Sequence, residues 1–515
     1  MLDRRDFLKG TAATAGAAAL LSGSQIALAE EATPAIPEYS VDEELDADIV
    51  IVGGGGSGMA AAIEASELGA KVVLLEKSGA LGGNASMTEG IFGVGSPMQA
   101  EKGVDIPFSH VIEEEMVYTN FRTWGPLLIK YFGASGGNVQ WLMDHGVAFK
   151  EVSNYRGISS FDCFHWWEGN RGREAFATIA NCTVDAGVDV HLNTEAQDLV
   201  FEDGKITGVY ALSADDGKQL KVNAKAVILA SGGFAADLDR VSQMTWLNVE
   251  GCRPSGRNNG AGIKMALSAG CGTTSVCGLY KTTVGGEGVD SKASSIACFQ
   301  PLLMVNEYGL RFAREDLNIT SYSALYFNAV HTQRKCFSLI DKSIIDLFSN
   351  GGIMYSFGTM VEGQPVEGLP EAFEASAESG NPNVFRGDTI EELAEAMGVD
   401  AEILKDTVER YNSMCEKGED TDFGKLPQYL VPLVEGPYYA LIQIPTVYVT
   451  IGGIDVDINN QVVKADGTQI PGLFAAGVDC CKLYKETYNY QLSGGMIGYC
   501  IYSGRTAAQS AFATL

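Results

Sequence analysis

Apolar runs bounded by glycine and polar residues divide this chain into alternating strands and helices. Asp48–Val52 reads as a buried parallel strand, Met59–Leu68 as the helix that follows, and Lys71–Leu75 as a second strand ending in Glu76. Val111–Trp141 is mostly helical in pattern. Val188–Asn193 reads as a strand, and Leu199–Phe201, Asp203-Gly204 and Ile206–Leu212 read as a hairpin. Val222–Leu229 is a strongly apolar strand running into the small-residue turn Ala230-Ser231-Gly232-Gly233-Phe234, and Gly260–Gly270 is a small-residue helix. From about Cys277 to Thr450 the pattern shifts to mixed strands, acidic helices and loops such as Gly380-Asn-Pro-Asn. Strand and glycine grammar returns at Ile454–Ile458 and Gly472–Gly477, and a terminal helix follows Ser493-Gly494-Gly495. Strands alternating with helices predict an α/β chain, and the change of pattern in the middle predicts an inserted domain.

The ends and the composition narrow this picture. Arg4-Arg5, followed by Phe7-Leu8-Lys9, a mildly apolar run and Ala27-Leu28-Ala29, forms a twin-arginine export signal over residues 1–29. Residues 30–45 are acidic and read as a linker, 46–276 as the first part of a nucleotide-binding domain, 277–450 as the insert and 451–515 as the second part. The expected destination is the periplasm or cell surface, with no membrane span in the mature form. A formal net charge of −29 argues against nucleic acid and anionic lipid as partners. The eleven cysteines are odd in number and include no CxxC or CxxCH, so neither a redox pair nor a covalent haem is expected. His110, His145, His165, His191 and His331 have no metal-site spacing, so no metal is expected. Trp166-Trp167 suits either core or the wall of an apolar substrate entrance.

Chemistry first enters at Gly53, Gly55 and Gly58. Between a strand and a helix, the first glycine permits the tight turn, the second lets backbone approach a pyrophosphate, and the third lets helix pack on strand. Glu76 stands where an acid would hold ribose hydroxyls. The loop Gly82-Gly83-Asn84-Ala85-Ser86 and the turn Ala230–Phe234 offer further close backbone contact with a ligand.

Together with Val305-Asn306, Gly309-Leu-Arg311-Phe312, Gly452-Gly453 and Pro471–Gly477, these landmarks resemble the flavoprotein subunits of fumarate reductases and succinate dehydrogenases. The nearer likeness is to the soluble branch and to 3-ketosteroid dehydrogenases. The resemblance implies a doubly wound FAD-binding domain split in sequence, with an inserted α+β capping domain. It implies FAD held by Gly53, Gly55, Gly58, Glu76, Lys77, Gly83, Asn84, Ala85, Ser86, Ala196, Ala230, Ser231, Gly232, Gly477, Asp479, Ser493, Gly495, Met496 and Ile497. Asp479 would lie near the ribityl chain, and the helix start at 493–497 would face the flavin's N1–C2 edge, favouring the anionic reduced form. Asn84-Ala85-Ser86 lacks the histidine of covalently flavinylated members, so non-covalent FAD is expected.

Departures from the family pattern shape the expected chemistry. Ile319 replaces the proton-donating arginine of fumarate reductases, Ser294, Ser295 and Cys298 replace a Thr-Glu…Arg segment, Val449 replaces a histidine, and Gln491 an arginine. Each exchange removes a partner for a carboxylate, and burying a dicarboxylate without cations costs several kcal/mol or more. Tyr490-Gln-Leu-Ser-Gly494-Gly495-Met-Ile-Gly498 instead follows the ketosteroid dehydrogenase spacing, in which the tyrosine hydroxyl and the glycine N–H hold a ketone oxygen. Tyr490 and Gly494 are therefore expected to polarise an enone, with Tyr322, Tyr326, Tyr484 or Tyr488 as proton donor. The expected function is an exported FAD reductase of an activated C=C bond in a fairly large, weakly charged organic molecule. Electrons would come from a separate cytochrome or flavoprotein, since the chain has no haem motif, and the lack of a second dinucleotide fingerprint weighs against direct NAD(P)H use. The alternatives are the reverse desaturation of a ketosteroid-type ring and a non-catalytic flavin electron carrier.

Overall fold

The computed structural model describes residues 39–515 except 158, 170–171, 246–248, 250, 253–256, 285, 321–328, 331, 357–359 and 486–487. The export signal, Tyr322, Tyr326 and His331 thus lie outside the described residues. An eight-stranded sheet forms the first layer. Its strands are β1 (Glu43–Val52), β2 (Val72–Leu75), β3 (Asp189–His191), β4 (Thr194–Glu202), β5 (Lys205–Ser213), β6 (Gln219–Leu229), β7 (Gln461–Val463) and β8 (Gln469–Ala475). The main path runs β7-β8-β6-β1-β2-β3, with β4 and β5 paired beside β6. From β8 to β3 the neighbours are parallel, as the continuous apolar strands predict.

β6 has three neighbours because it is long. Its outer half, from Gln219 to Asn223, pairs with β5, and its inner end, Val227–Leu229, pairs with β8. β1 lies along its other side from Glu43↔Leu220 to Val52↔Leu229. The strand therefore starts within the acidic segment read as a linker. Backbone pairing with β6 extends it beyond the apolar residues that signalled it, and the first residues are correspondingly exposed.

Two other elements differ from their sequence pattern. Val111–Trp141 is broken into helices Phe108–Tyr118 and Gly125–Asp144, with Asn120 and Phe121 between them at φ +51° and +58°. Ile454–Ile458 forms only isolated bridges, Ile454 to Thr273 and Val456 to Val462. The sheet's face is covered by α1 (Gly56–Glu67) and α2 (Gly495–Phe512), which pack their small residues against each other and against Ile49, Ile51, Leu74 and Ile228.

Residues from the middle of the chain build a second core. Met304–Asn306, Cys336–Asp341, Tyr438–Ile442 and Val384–Gly387 form an antiparallel sheet in that order. Helices such as Ala401–Lys417 and Leu369–Glu378 bury Phe337, Phe348, Phe373 and Tyr411 against it. A buried ionic cluster fixes one end. Arg311 contacts Glu315 at 2.8 Å and Asp420 at 2.7 Å, and fully buried Lys425 lies 3.3 Å from Glu315. A small antiparallel sheet of Gly90–Phe92, Phe164–Trp167 and Phe149–Ser153 is rich in aromatic side chains. No described helix is long and apolar enough to cross a membrane.

Candidate active site

A cavity of about 1210 Å³ runs from the C-terminal ends of β1 and β2 to the start of α2. At its phosphate end the chain leaves β1 at Gly53, with φ +106°. A side chain on Gly58 would stand 1.8 Å from the Gly53 carbonyl oxygen, so helix and turn meet without room for one. Gly55 is the opposite case. It lines the cavity, and a Cβ there would meet no protein atom within 4 Å. The space beside it is bounded by the N-terminus of α1, whose N–H dipoles favour an anion.

Glu76 closes the neighbouring corner. Its Oε2 accepts from the Gly54 N–H and its Oε1 from the Ser78 N–H, both at 2.7 Å. Both oxygens keep acceptor capacity for hydroxyls on a ligand. Lys77 Nζ donates to the Arg257 carbonyl, and burial lowers its pKa. Asn84 donates from Nδ2 to Asn258 Oδ1 at 3.2 Å, while its buried Oδ1 has no partner within the protein. Gly83, Ala85, Ser86, Ala196, Ala230, Ser231 and Gly232 also line this stretch. An open glycine cradle at a helix start, a ribose-type acceptor and an orphaned amide oxygen fit an FAD molecule.

Asp479 and Gly477 are not part of the wall. Fully buried, Asp479 accepts from the N–H groups of Ser231 at 2.6 Å, Gly232 at 3.3 Å and Gly233 at 2.6 Å, and from Ser231 Oγ at 3.0 Å. Its carboxyl thus shapes the turn that borders the cavity. Burial still holds its pKa above the ordinary value. Gly477 donates its N–H to Ser503 Oγ at 2.9 Å inside α2. Gly58 likewise acts through packing.

The far end is built from tyrosines. Tyr155, Tyr448, Tyr488 and Tyr490 line it with Phe164 and Val449. Tyr488 and Tyr490 meet edge to face at 5.1 Å between ring centres. Ser493, Gly494, Met496 and Ile497 line the cavity beside them, whereas Gly495 does not. The Gly495 N–H donates to the Tyr488 hydroxyl at 3.1 Å, and its carbonyl accepts from Tyr131 at 2.6 Å. Tyr484 lies behind Tyr488, ring centres 5.2 Å apart, and does not reach the cavity. Burial raises the pKa of both Tyr488 and Tyr490, keeping their hydroxyls protonated.

Three features of this end have no motif to announce them. Tyr488 is one of four tyrosines that the sequence leaves equivalent, and Tyr155 sits in an irregular turn. Glu89 accepts from the Tyr155 hydroxyl at 2.7 Å and from Arg156 Nη2 at 3.1 Å, and both Glu89 and Arg156 line the cavity. Ile319 is not in this wall, but Val449 is. His165 is buried against Ser96 Oγ at 2.6 Å, and burial lowers its pKa to about 4. Trp167 is core, and Trp166 stacks on Tyr155 at 5.4 Å. The ten cysteines whose side chains are described are free thiols.

Comparison with known proteins identifies the family. The FAD binding domain family model matches residues 48–495, and the twin-arginine translocation signal model matches residues 1–20. The vinyl phenol reductase of Lactiplantibacillus plantarum is 33% identical over 481 residues, covering 90% of this chain and 96% of the relative. The urocanate reductase of Eggerthella lenta is 29% identical over 476 residues, covering 87% and 72%. In fold, the chain is similar to the open conformation of a flavocytochrome c3 fumarate reductase, with a TM-score of 0.67 at 23% identity over 91% of this chain and 78% of that one. A 3-ketosteroid-Δ4-(5α)-dehydrogenase from Rhodococcus jostii gives 0.68 at 23% identity over 93% and 98%. The protein belongs to the FAD binding domain family, among the fumarate reductase-like flavoproteins, and is an FAD-dependent oxidoreductase exported by the twin-arginine route.

Proposed function

We propose that this flavin-dependent reductase of C=C bonds acts on an alkene conjugated to a carbonyl or a phenol, in a fairly large and weakly charged molecule. The observation that carries this reading is the tyrosine-lined end of the cavity, where Tyr488 and Tyr490, both protonated, stand among aromatic walls. FAD, when bound, supplies the hydride. As the alkene's remote carbon accepts it, negative charge grows on the substrate oxygen, and a hydroxyl donor with the Gly494 N–H stabilises that charge. The one proton the reaction needs goes to the neighbouring carbon, and a tyrosine hydroxyl of the same cluster is the donor, reprotonated from solvent. A phenol para to a vinyl group fits the same frame. Moving its proton to the terminal carbon gives a quinone methide, which is a vinylogous enone. The name of the vinyl phenol reductase relative supports this second class.

Electrons reach the flavin from a separate cytochrome or flavoprotein. The test is to purify the mature protein anaerobically, reduce its flavin and record which compounds reoxidise it. Reoxidation by enones or vinylphenols but not by fumarate is the expected result. Preference for fumarate overturns the substrate class. Reduction of the oxidised flavin by saturated ketones would favour the reverse desaturation, and inertness to every compound would favour an electron carrier.

A further inference from the structure

We propose that Glu89 is a specificity-determining residue that excludes substrates bearing a carboxylate by occupying Arg156. This rests on the reading of the tyrosine-lined end as the substrate site. Among the described residues, the cations lining the cavity are Lys77, Arg156 and Arg257. Lys77 and Arg257 lie together toward Glu76 and Glu195, joined by the Lys77–Arg257 carbonyl contact. Arg156 belongs to the other end, its guanidinium 5.6 Å from the centre of the Tyr155 ring, which lies 6.4 Å from the ring of Tyr490.

An arginine in an aromatic cavity is the natural clamp for a carboxylate, because its planar fork matches both oxygens. Here one arm of the fork is engaged. Glu89 Oε1 accepts from Arg156 Nη2 at 3.1 Å, and Glu89 Oε2 accepts from the Tyr155 hydroxyl at 2.7 Å. Both side chains are largely withdrawn from solvent, at 19% and 25% exposure. The Arg156 Nε is buried and has no partner within the protein. Burial keeps the neighbouring Tyr155 and Tyr490 hydroxyls protonated, so neither adds a charge to the pair. A neutral substrate meets a compensated pair. A substrate carboxylate meets the Glu89 charge at close range, and like charges brought together across a binding surface repel. Removing the Glu89 charge uncovers a guanidinium that can hold an acid.

The experiment compares 4-vinylphenol with 4-hydroxycinnamate, which differ by one carboxylate, in the FAD-loaded mature enzyme with an artificial electron donor. Wild type should prefer the neutral alkene. Glu89→Gln should lower the neutral-to-acid ratio of kcat/KM by about tenfold or more, the size of one charge-assisted hydrogen bond. The Kd of 4-hydroxyphenylpropionate, read from the flavin difference spectrum of the oxidised enzyme, should fall in parallel. The double variant Glu89→Gln/Arg156→Gln should lose the gain. A Glu89→Gln enzyme that holds FAD and keeps the wild-type ratio overturns the inference and leaves the substrate reading intact. A wild type that prefers the acid overturns both. If Glu89→Gln does not retain FAD, Arg156→Gln decides: the lone Glu89 charge should raise the neutral-to-acid ratio, and a fall in that ratio refutes the proposal.

Discussion

The Tyr488 hydroxyl accepts a hydrogen bond from the Gly495 N–H at 3.1 Å, at the start of α2. The side chain thereby sits on the positive end of an 18-residue helix, with its other face in the cavity wall. A donor held this way is fixed in orientation and made a better hydrogen-bond donor, since the helix dipole favours negative charge on the oxygen.

Tyr488→Phe and Tyr490→Phe should both keep FAD and slow substrate reduction, because each removes one hydroxyl from the end proposed to hold the substrate. Loss of a single oxyanion donor costs on the order of 10²–10³ in turnover. Flavin reduction by an artificial donor should change little in either variant. Stopped-flow measurement of the two half-reactions separates these effects, and parent-rate turnover by both variants would remove the tyrosines from the chemistry.

Gly55 and Gly58 should fail differently when given a side chain. Gly55→Val meets no protein atom within 4 Å of its Cβ, so the fold should persist while the flavin is excluded. Gly58→Val drives a Cβ toward 1.8 Å of the Gly53 carbonyl oxygen, so fold and flavin should be lost together. Far-UV circular dichroism and flavin absorbance, measured on both variants, check the split.

Glu115 predicts an alkaline weakness. It is fully buried, donated to by Asn489 Nδ2 at 3.0 Å, and burial pushes its carboxyl from 4.5 up to about 8. Between those values the folded protein keeps a proton that the unfolded chain has released, so stability falls as pH rises through that window. Glu115→Gln should match the parent near pH 4.5 and exceed it above pH 8 by a few kcal/mol, since each tenfold change in proton affinity is worth about 1.4 kcal/mol. Thermal unfolding across the pH range tests this, and parallel stability curves would refute it.

Arg311 holds the second core's buried charges together through Glu315 and Asp420. Arg311→Met should destabilise by about 3–5 kcal/mol, because it leaves two carboxylates buried beside Lys425 alone. Denaturant unfolding measures the loss. A stability unchanged within error would mean that water or Lys425 compensates the pair.

How much is legible from sequence depends on the range of the interaction. The local marks of a dinucleotide site fall within the short stretch from Gly53 to Ser86, where backbone geometry dictates residue type. A tight turn, a helix start and a strand-end acid each leave a local mark, as does the export signal at Arg4-Arg5. The alternation of apolar strands with helices likewise determined the α/β class, because burying a parallel sheet on both faces requires it. Tertiary structure alone decided which side chains meet. Asp479 reaches the Ser231 N–H across 248 positions of sequence and shapes a turn instead of lining the cavity. Tyr488 faces the cavity while Tyr484, four residues earlier, is sealed behind it. Glu89 finds Arg156 across 67 positions, through a turn with no periodicity. Side chains on irregular segments follow no repeat from which their direction can be read, and their partners are set by packing between distant elements, so the substrate end of this site emerges only when the chain is folded.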